Sequence, residues 1–275
     1  MTSREPVDIA AIRAAVANPN GPYARVDYTA FTGSTNADLV AAGHQNAPAW
    51  TAAVTEYQTS GRGRHGRVWT APKGSQVTLS ILIRPTAESI ERLGTMPLVS
   101  GLAIIDALTA TAARHPDATD KLTPQLKWPN DVLIDGRKLC GILAEAVSLG
   151  PEPAVVIGLG LNVSITTEEL PVPHATSLDL EAPGIEIDRA QLTADVLLAL
   201  HHRINQWVDA DPQLMADYRA VCSSIGADVK VLLPGDEELL GTVRDVADDG
   251  RLVVVDKQGS EHVLAAGDVT HLRLQ

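Results

Sequence analysis

The stretch Gly61-Arg62-Gly63-Arg64-His65-Gly66-Arg67-Val68-Trp69 joins two apolar, strand-like runs, Ala52 to Tyr57 and Val77 to Ile83. Runs of that length and character read as core strands, so the sequence between them is a loop anchored at both ends in a sheet. Its glycines let backbone amides come close to a ligand, and arginine forks grip carboxylate or phosphate oxygens in two-pronged fashion. The chain as a whole carries a formal net charge of -12 over 275 residues. A concentrated cationic loop on an anionic body implies a local anionic ligand. The alternation of Gly and Arg and the flanking Trp69 separate this loop from an ordinary solvated charge run.

Working outward, 45% apolar residues are ample for a core, and the length accommodates one large domain with a small one attached. The 34 carboxylates against 22 basic residues argue against general affinity for nucleic acid, whose backbone demands a basic face. Cys140 and Cys222 lie in apolar surroundings without CxxC spacing or a nearby His, which reads as packing in a reduced compartment. No uninterrupted apolar run reaches the roughly 18 to 20 residues that span a bilayer. The N-terminus carries Glu5 and Asp8 where a secretory leader would be basic and then apolar. The expectation is a cytoplasmic protein, neither exported nor anchored.

Along the chain, Ile9, Ile12 and Val16 mark a short helix closed by Asn18-Pro19-Asn20-Gly21-Pro22, and a strand follows at Arg25 to Tyr28. Thr35 and Asp38 have capping-box spacing ahead of Leu39, and Gly43 is placed to end that helix. Leu98 to Ala113 reads as an apolar core helix ending near the polar stretch Arg114 to Thr123. Gln125 to Trp128 reads as a strand broken by Pro129, and Asp135-Gly136 as a tight hairpin turn into a strand over Leu139 to Val147. Ala154 to Val163 is an apolar strand interrupted by Gly158 and Gly160, which implies that something approaches its backbone closely. Thr166 to Gly184 reads as a long loop, then Asp188 to Val208 and Pro212 to Val221 as helices. From Gly226 the texture changes to short Val and Leu runs divided by Pro234-Gly235-Asp236, Asp248-Asp249-Gly250 and Gln258-Gly259-Ser260, a pattern of about five short strands in a small barrel. The fold class is therefore α+β: a mixed β-sheet covered by helices over residues 1–222, and a small C-terminal barrel over 226–275.

Ser34-Thr35-Asn36, Gln58 before the Gly-Arg loop, Lys127-Trp128-Pro129-Asn130-Asp131, Arg137-Lys138-Leu139-Cys140-Gly141 and Gly158-Leu159-Gly160-Leu161-Asn162 together closely resemble the biotin protein ligases. The similarity runs from about Thr32 to Val163, with the motifs in the family's order and at similar separations, so their agreement is far more specific than any one motif. The stretch from Gly226 to Leu274 resembles the family's small C-terminal domain.

That resemblance implies a class II synthetase-like catalytic domain with an SH3-like C-terminal barrel, and a two-step reaction. Biotin and ATP give biotinyl-5′-AMP, and a lysine of a biotin carboxyl carrier protein domain then takes the biotinyl group. By motif position, Ser34, Thr35 and Gln58 hydrogen-bond the ureido ring, with Asn36 beside them at the same helix start. Gly61, Arg62, Gly63, Arg64, Arg67 and Lys138 serve the carboxylate and the phosphate, and Gly141 lines the ring pocket. Trp69 and Asn162 lie on the adenine side, and Asp131 meets the incoming lysine. Lys138, Arg64 and Asp131 are the catalytic candidates. The resemblance further implies that the Gly-Arg loop orders over the mixed anhydride and shields it from water. ATP implies Mg2+, whose ligands the sequence does not identify.

A lipoate ligase is the nearest rival, with similar chemistry in outline, but the Gly-Arg run and the Lys127 to Asp131 string favour biotin. A biotin-responsive repressor would need a winged helix, and the residues before Tyr23 are too few for an independent DNA-binding domain, so no specific nucleic-acid partner and no membrane are expected. Whether the chain forms a weak homodimer stays open. His44, His115, His174 and His262 lack metal-like spacing, whereas His65 adds basic character to the loop.

Overall fold

The computed structural model describes residues 4–115, 122–233, 237–265 and 267–272. Helix α1 (Ile9–Val16) starts at Asp8, whose carboxylate accepts from the Ala11 amide at 3.0 Å. Then follow β1 (Arg25–Thr29), α2 (Thr35–His44), β2 (Thr51–Thr55), β3 (Gln76–Ile83), a single turn α3 (Ala87–Ile90) and the long α4 (Met96–Arg114). Four strands come next: β4 (Gln125–Lys127), β5 (Asp131–Ile134), β6 (Arg137–Ser148) and β7 (Ala154–Asn162). Helices α5 (Leu178–Glu181), α6 (Arg189–Val208) and α7 (Gln213–Val221) lead to β8 (Asp228–Leu232), β9 (Glu238–Val246), β10 (Leu252–Asp256), β11 (Glu261–Leu264) and β12 (Asp268–His271).

The first seven strands form one sheet in the order β1-β2-β3-β7-β6-β5-β4, in which only β1 and β2 are parallel neighbours. This is the mixed sheet under helices that the pattern of apolar runs implies. The other five form an antiparallel sheet in the order β11-β10-β9-β8-β12, with β12 returning beside β8, as a small barrel-like unit requires. Positive φ at both Asp135 and Gly136 gives the tight β5–β6 turn that the Asp-Gly signal announces.

What positions the cleft is a period-2 alternation in the central strands. In β3, Val77, Leu79, Ile81 and Ile83 enter the main core with α4 and α6, while Gln76, Thr78 and Ser80 occupy the other face. In β7, Val155, Ile157, Leu159 and Leu161 are core, so Gly158, Gly160 and Asn162 share the face of Gln76 and Ser80. Helix α2 covers the far end of that face through a small cluster of Leu39, Ala53, Leu82, Ala154 and Val156. Beyond α2 the face is open and polar.

The first helix belongs to the same body: Ile12 and Val16 are fully buried, and the hydroxyl of buried Tyr23 donates to Leu197 O at 2.7 Å. Several local expectations need correction. The cap of α2 is Ser34, which accepts from the Ala37 amide, and Thr35 is the first helical residue, freed to point toward Gln58. Gly43 lies inside that helix, which runs on to His44. The Thr166 to Gly184 segment is not all loop, since a capping box at Thr166 and Glu169 closes one turn and α5 forms another. The span Leu93–Arg114 is long and apolar enough to cross a membrane, contrary to the reading of the bare sequence, but two thirds of its apolar 18-residue window is buried, packed against the sheet and α6. The Pro234-Gly235-Asp236 turn and most of the polar stretch after α4 lie outside the described residues.

Candidate active site

The open face is the floor of a cleft of about 920 Å3. The start of α2, the Gly-Arg loop, the β5–β6 hairpin and β12 of the second sheet wall it. Of the residues singled out in the sequence, Ser34, Thr35, Asn36, Gln58, Arg62, Gly63, Arg64, Arg67, Trp69, Asp131, Lys138, Gly141 and Asn162 all line it. Gly61 does not. Its carbonyl accepts from the Trp69 amide at 2.9 Å and so closes the base of the loop.

At one end a polar pocket is wired together. Gln58 Oε1 accepts from the Thr35 amide at 2.9 Å and from its hydroxyl at 3.2 Å. Thr35 and Ser80 hydroxyls lie 2.7 Å apart, Ser80 donates to Asn36 Oδ1 at 2.6 Å, and Asn36 Nδ2 donates to Glu145 Oε2 at 2.6 Å. A Cβ on Gly158 would overlap the Asn36 amide, which explains this strand glycine. Each side chain is fixed by its neighbour, so the pocket offers oriented donors and acceptors to a neutral polar ring.

At the other end lies an aromatic face. Trp69 packs on the backbones of Gly160 and Gly141, and its Nε1 donates to Gln76 Oε1 at 3.2 Å. Gln76 Nε2 in turn donates to Asn162 Oδ1 at 2.5 Å, and Asn162 Nδ2 donates to Thr176 O at 2.7 Å. The strand glycines thus do what the sequence implied, admitting Asn36 at one and an indole at the other.

Between the two ends stand the charges. Lys138 Nζ is 2.7 Å from Asp131 Oδ1 and 5.4 Å from the Trp69 ring centroid. Arg64 Nη1 donates to Asn130 Oδ1 at 3.2 Å, and Arg67 pairs with Asp268. Burial lowers the Lys127 ammonium from its ordinary value; Asp131 opposes this and Lys138 adds to it. Burial also lowers Arg64, against Asp268 and Asp131. The imidazole of His271, beside Ser224 Oγ at 3.0 Å, is pushed down to about 4, first by burial and then by Lys127. Burial raises the Cys140 thiol far above the thiolate range, which leaves it a packing residue.

Sequence reasoning missed Gln76, Ser80, Glu145, Asp268 and His271. The alternation in β3 carried a signal for the first two; Asp268 and His271 reach the cleft from another sheet and carried none.

Residues 28–162 match the model of the biotin/lipoate A/B protein ligase family, and residues 224–272 that of the biotin protein ligase C-terminal domain. The chain is 42% identical to the biotin--[acetyl-CoA-carboxylase] ligase of Mycobacterium tuberculosis over 98% of its own length and 97% of that protein's. It belongs to the biotin protein ligase family. Some relatives are longer: the bifunctional ligase/repressor BirA of Bacillus spizizenii is 33% identical over 60% of this chain, a match that spans 49% of that protein. The fold agrees with that of the biotin protein ligase from Aquifex aeolicus solved with biotin and ATP, at a TM-score of 0.75 and 24% identity, covering 92% of this chain and all of the other.

Proposed function

We propose that this ligase joins biotin to ATP and passes biotin to a lysine on the carrier domains of biotin-dependent carboxylases. In the first step a biotin carboxylate oxygen bonds to the α-phosphorus and pyrophosphate leaves. In the second the ε-amine of the carrier lysine bonds to the acyl carbon and AMP leaves. The observation that carries this reading is one cleft with a wired polar pocket at one end, an indole face with Asn162 at the other, and Lys138 with the loop arginines between. That order matches the order of groups in biotinyl-5′-AMP: a neutral ureido ring, a mixed anhydride with its phosphate, and a purine.

The difficulty of the first step is the approach of two anions, which needs fixed positive charge aimed between them. Lys138 is well placed for this, with Arg62 and Arg64 on the loop. In the second step a carboxylate must orient the carrier ammonium and take its proton, and Asp131, the cleft carboxylate beside Lys138, suits that role. Among the described residues no group of three or more His, Cys, Asp or Glu could hold a metal. The cleft carboxylates Asp131, Asp135 and Asp268 each lie within ion-pair distance of a cation, so the residues do not form a cage for a divalent ion. Magnesium fits better as part of the nucleotide substrate, held on its phosphates.

The test is ATP–pyrophosphate exchange with purified protein and magnesium, with biotin, with lipoate, or with neither. Exchange that requires biotin is expected. Exchange supported by lipoate instead would move the substrate assignment, and none with either would refute the adenylation reading.

A further inference from the structure

Every arginine of the Gly-Arg loop already faces a carboxylate of this chain. Arg62 Nη2 lies 3.7 Å from Glu145 Oε1. Arg67 is ion-paired with Asp268, Arg64 Nη1 is 4.0 Å and His65 Nε2 3.9 Å from Asp268 Oδ1, and Arg64 Nη2 donates to Gly267 O at 3.4 Å. Asp268 is the point where the second sheet meets the loop.

The partner side is tied into a sheet, whereas the loop is tied mainly to itself. Strand β12 is held by its ladder with β8, and the sheet is docked by Trp128, whose indole donates to Gly250 O at 2.9 Å and whose amide donates to Ser224 Oγ at 3.1 Å. The loop has a narrow internal frame, Gly63 N to Arg67 O at 2.7 Å, Arg67 N to Arg64 O at 3.2 Å and Trp69 N to Gly61 O at 2.9 Å, with one further tie from Arg64 Nη1 to Asn130 Oδ1 at 3.2 Å, and its Val68 is 80% exposed. His65 and Gly66 both have positive φ, a bend that the loop holds while its cations face β12.

We propose that Asp268 is a stand-in anion: it clasps Arg64 and Arg67 when no nucleotide is bound, and the phosphates of the nucleotide must displace it. Asp268 is thus a positioning residue that sets affinity by competition. A state that excludes the ligand lowers apparent affinity by the fraction of molecules that occupy it. Exposed and half-buried ion pairs are weak singly, and two or three sharing one carboxylate correspond to roughly a three- to tenfold effect. A polyanion with several oxygens replaces a single carboxylate readily, because arginine forks take phosphate in two-pronged fashion.

The test compares the full chain with Asp268→Asn and Asp268→Glu. Without any substrate, trypsin cleavage after Arg64 and Arg67, followed by mass spectrometry, is expected to run roughly three- to tenfold faster in Asp268→Asn and near the original rate in Asp268→Glu. In biotin-dependent pyrophosphate exchange, the KM for ATP is expected to fall by a similar factor in Asp268→Asn, with the effect on KM rather than kcat and smaller at high salt. This kinetic arm rests on the adenylation reading above; the proteolysis arm does not, so a protein without exchange refutes that reading and leaves cleavage to decide the clasp. If Asp268→Asn does not fold, Arg67→Gln removes the same pair from the loop side, and cleavage after Arg64 must still accelerate. Unchanged cleavage, or a KM for ATP that rises, overturns the proposal.

Discussion

Lys138 Nζ and Asp131 Oδ1 stand 2.7 Å apart across the β5–β6 hairpin. The lysine is held there by its backbone on both sides, its amide donating to His174 O at 2.7 Å and its carbonyl accepting from the Thr176 amide at 2.8 Å. A proposed adenylation cation and a proposed proton acceptor thus neutralise each other. In the proposed reaction, an α-phosphate that draws the ammonium away would free the carboxylate for an incoming amine.

From that exchange of partners the two side chains should separate kinetically. Lys138→Ala removes a preorganised donor aimed at developing charge and is expected to slow pyrophosphate exchange by on the order of 10²- to 10³-fold without lowering the melting temperature. Asp131→Asn is expected to slow transfer from preformed biotinyl-5′-AMP to a carrier domain more than it slows exchange. Equal losses in both assays would show that Asp131 acts only by holding Lys138.

Gly160 tests the aromatic end. A Cβ there falls on the Trp69 indole, whose ring also packs against the backbone of Gly141. Gly160→Ala is expected to push the ring off the sheet, break its bond to Gln76 and raise the KM for ATP by roughly tenfold, in line with a cost of about 1 to 3 kcal/mol for overpacking. The KM for biotin should change less, because the ureido pocket hangs on Gly158 and Asn36. A larger effect on biotin would reverse the assignment of the two ends.

Much of this cleft could be read from the sequence because its parts obey local rules. The alternation Gln76-Val77-Thr78-Leu79-Ser80 sends its polar residues to one face, and glycines in the apolar run at 158 and 160 announce close approach. Where two local signals compete, the reading slipped: Ser34 and Thr35 both suit a cap, and the tertiary bond from Thr35 to Gln58 decides between them. The pairing of Arg67 with Asp268 spans 201 residues and depends on how the second sheet docks, which no periodicity records. The core-helix reading of Leu98 to Ala113 holds, although composition alone does not say whether protein or lipid covers such a span.

His271 gives a pH signature. Its pKa is about 4 in the fold against 6.5 as a free side chain, so below about 6.5 the unfolded chain takes up a proton that the native imidazole refuses. Stability from this source is full above about 6.5, falls as pH drops toward 4, and levels off below that. His271→Gln is expected to flatten the acid limb of a melting-temperature profile between those values. An unchanged limb would place the titration elsewhere.

The last prediction concerns a buried pair behind the cleft. Arg189 Nη1 bonds Glu56 Oε2 at 2.9 Å, with the glutamate side chain 2% exposed, while Glu56 Oε1 accepts from the Val7 amide at 2.7 Å. Arg189 Nη2 also donates to Glu5 O at 2.5 Å, so the pair straps the N-terminal segment over the end of β2. Such pairs add little net stability when intact, because desolvation offsets attraction, but removing one partner strands a buried charge at a cost of about 3 to 5 kcal/mol. Arg189→Met is therefore expected to lower the melting temperature by roughly 6 to 10 °C, at about 2 °C per kcal/mol for a chain of this size. The double variant Arg189→Met with Glu56→Gln should recover part of that loss, because the stranded charge is gone while Val7 keeps its acceptor. If the double variant is less stable than Arg189→Met alone, the lone Glu56 charge carries no burial penalty and the desolvation argument fails.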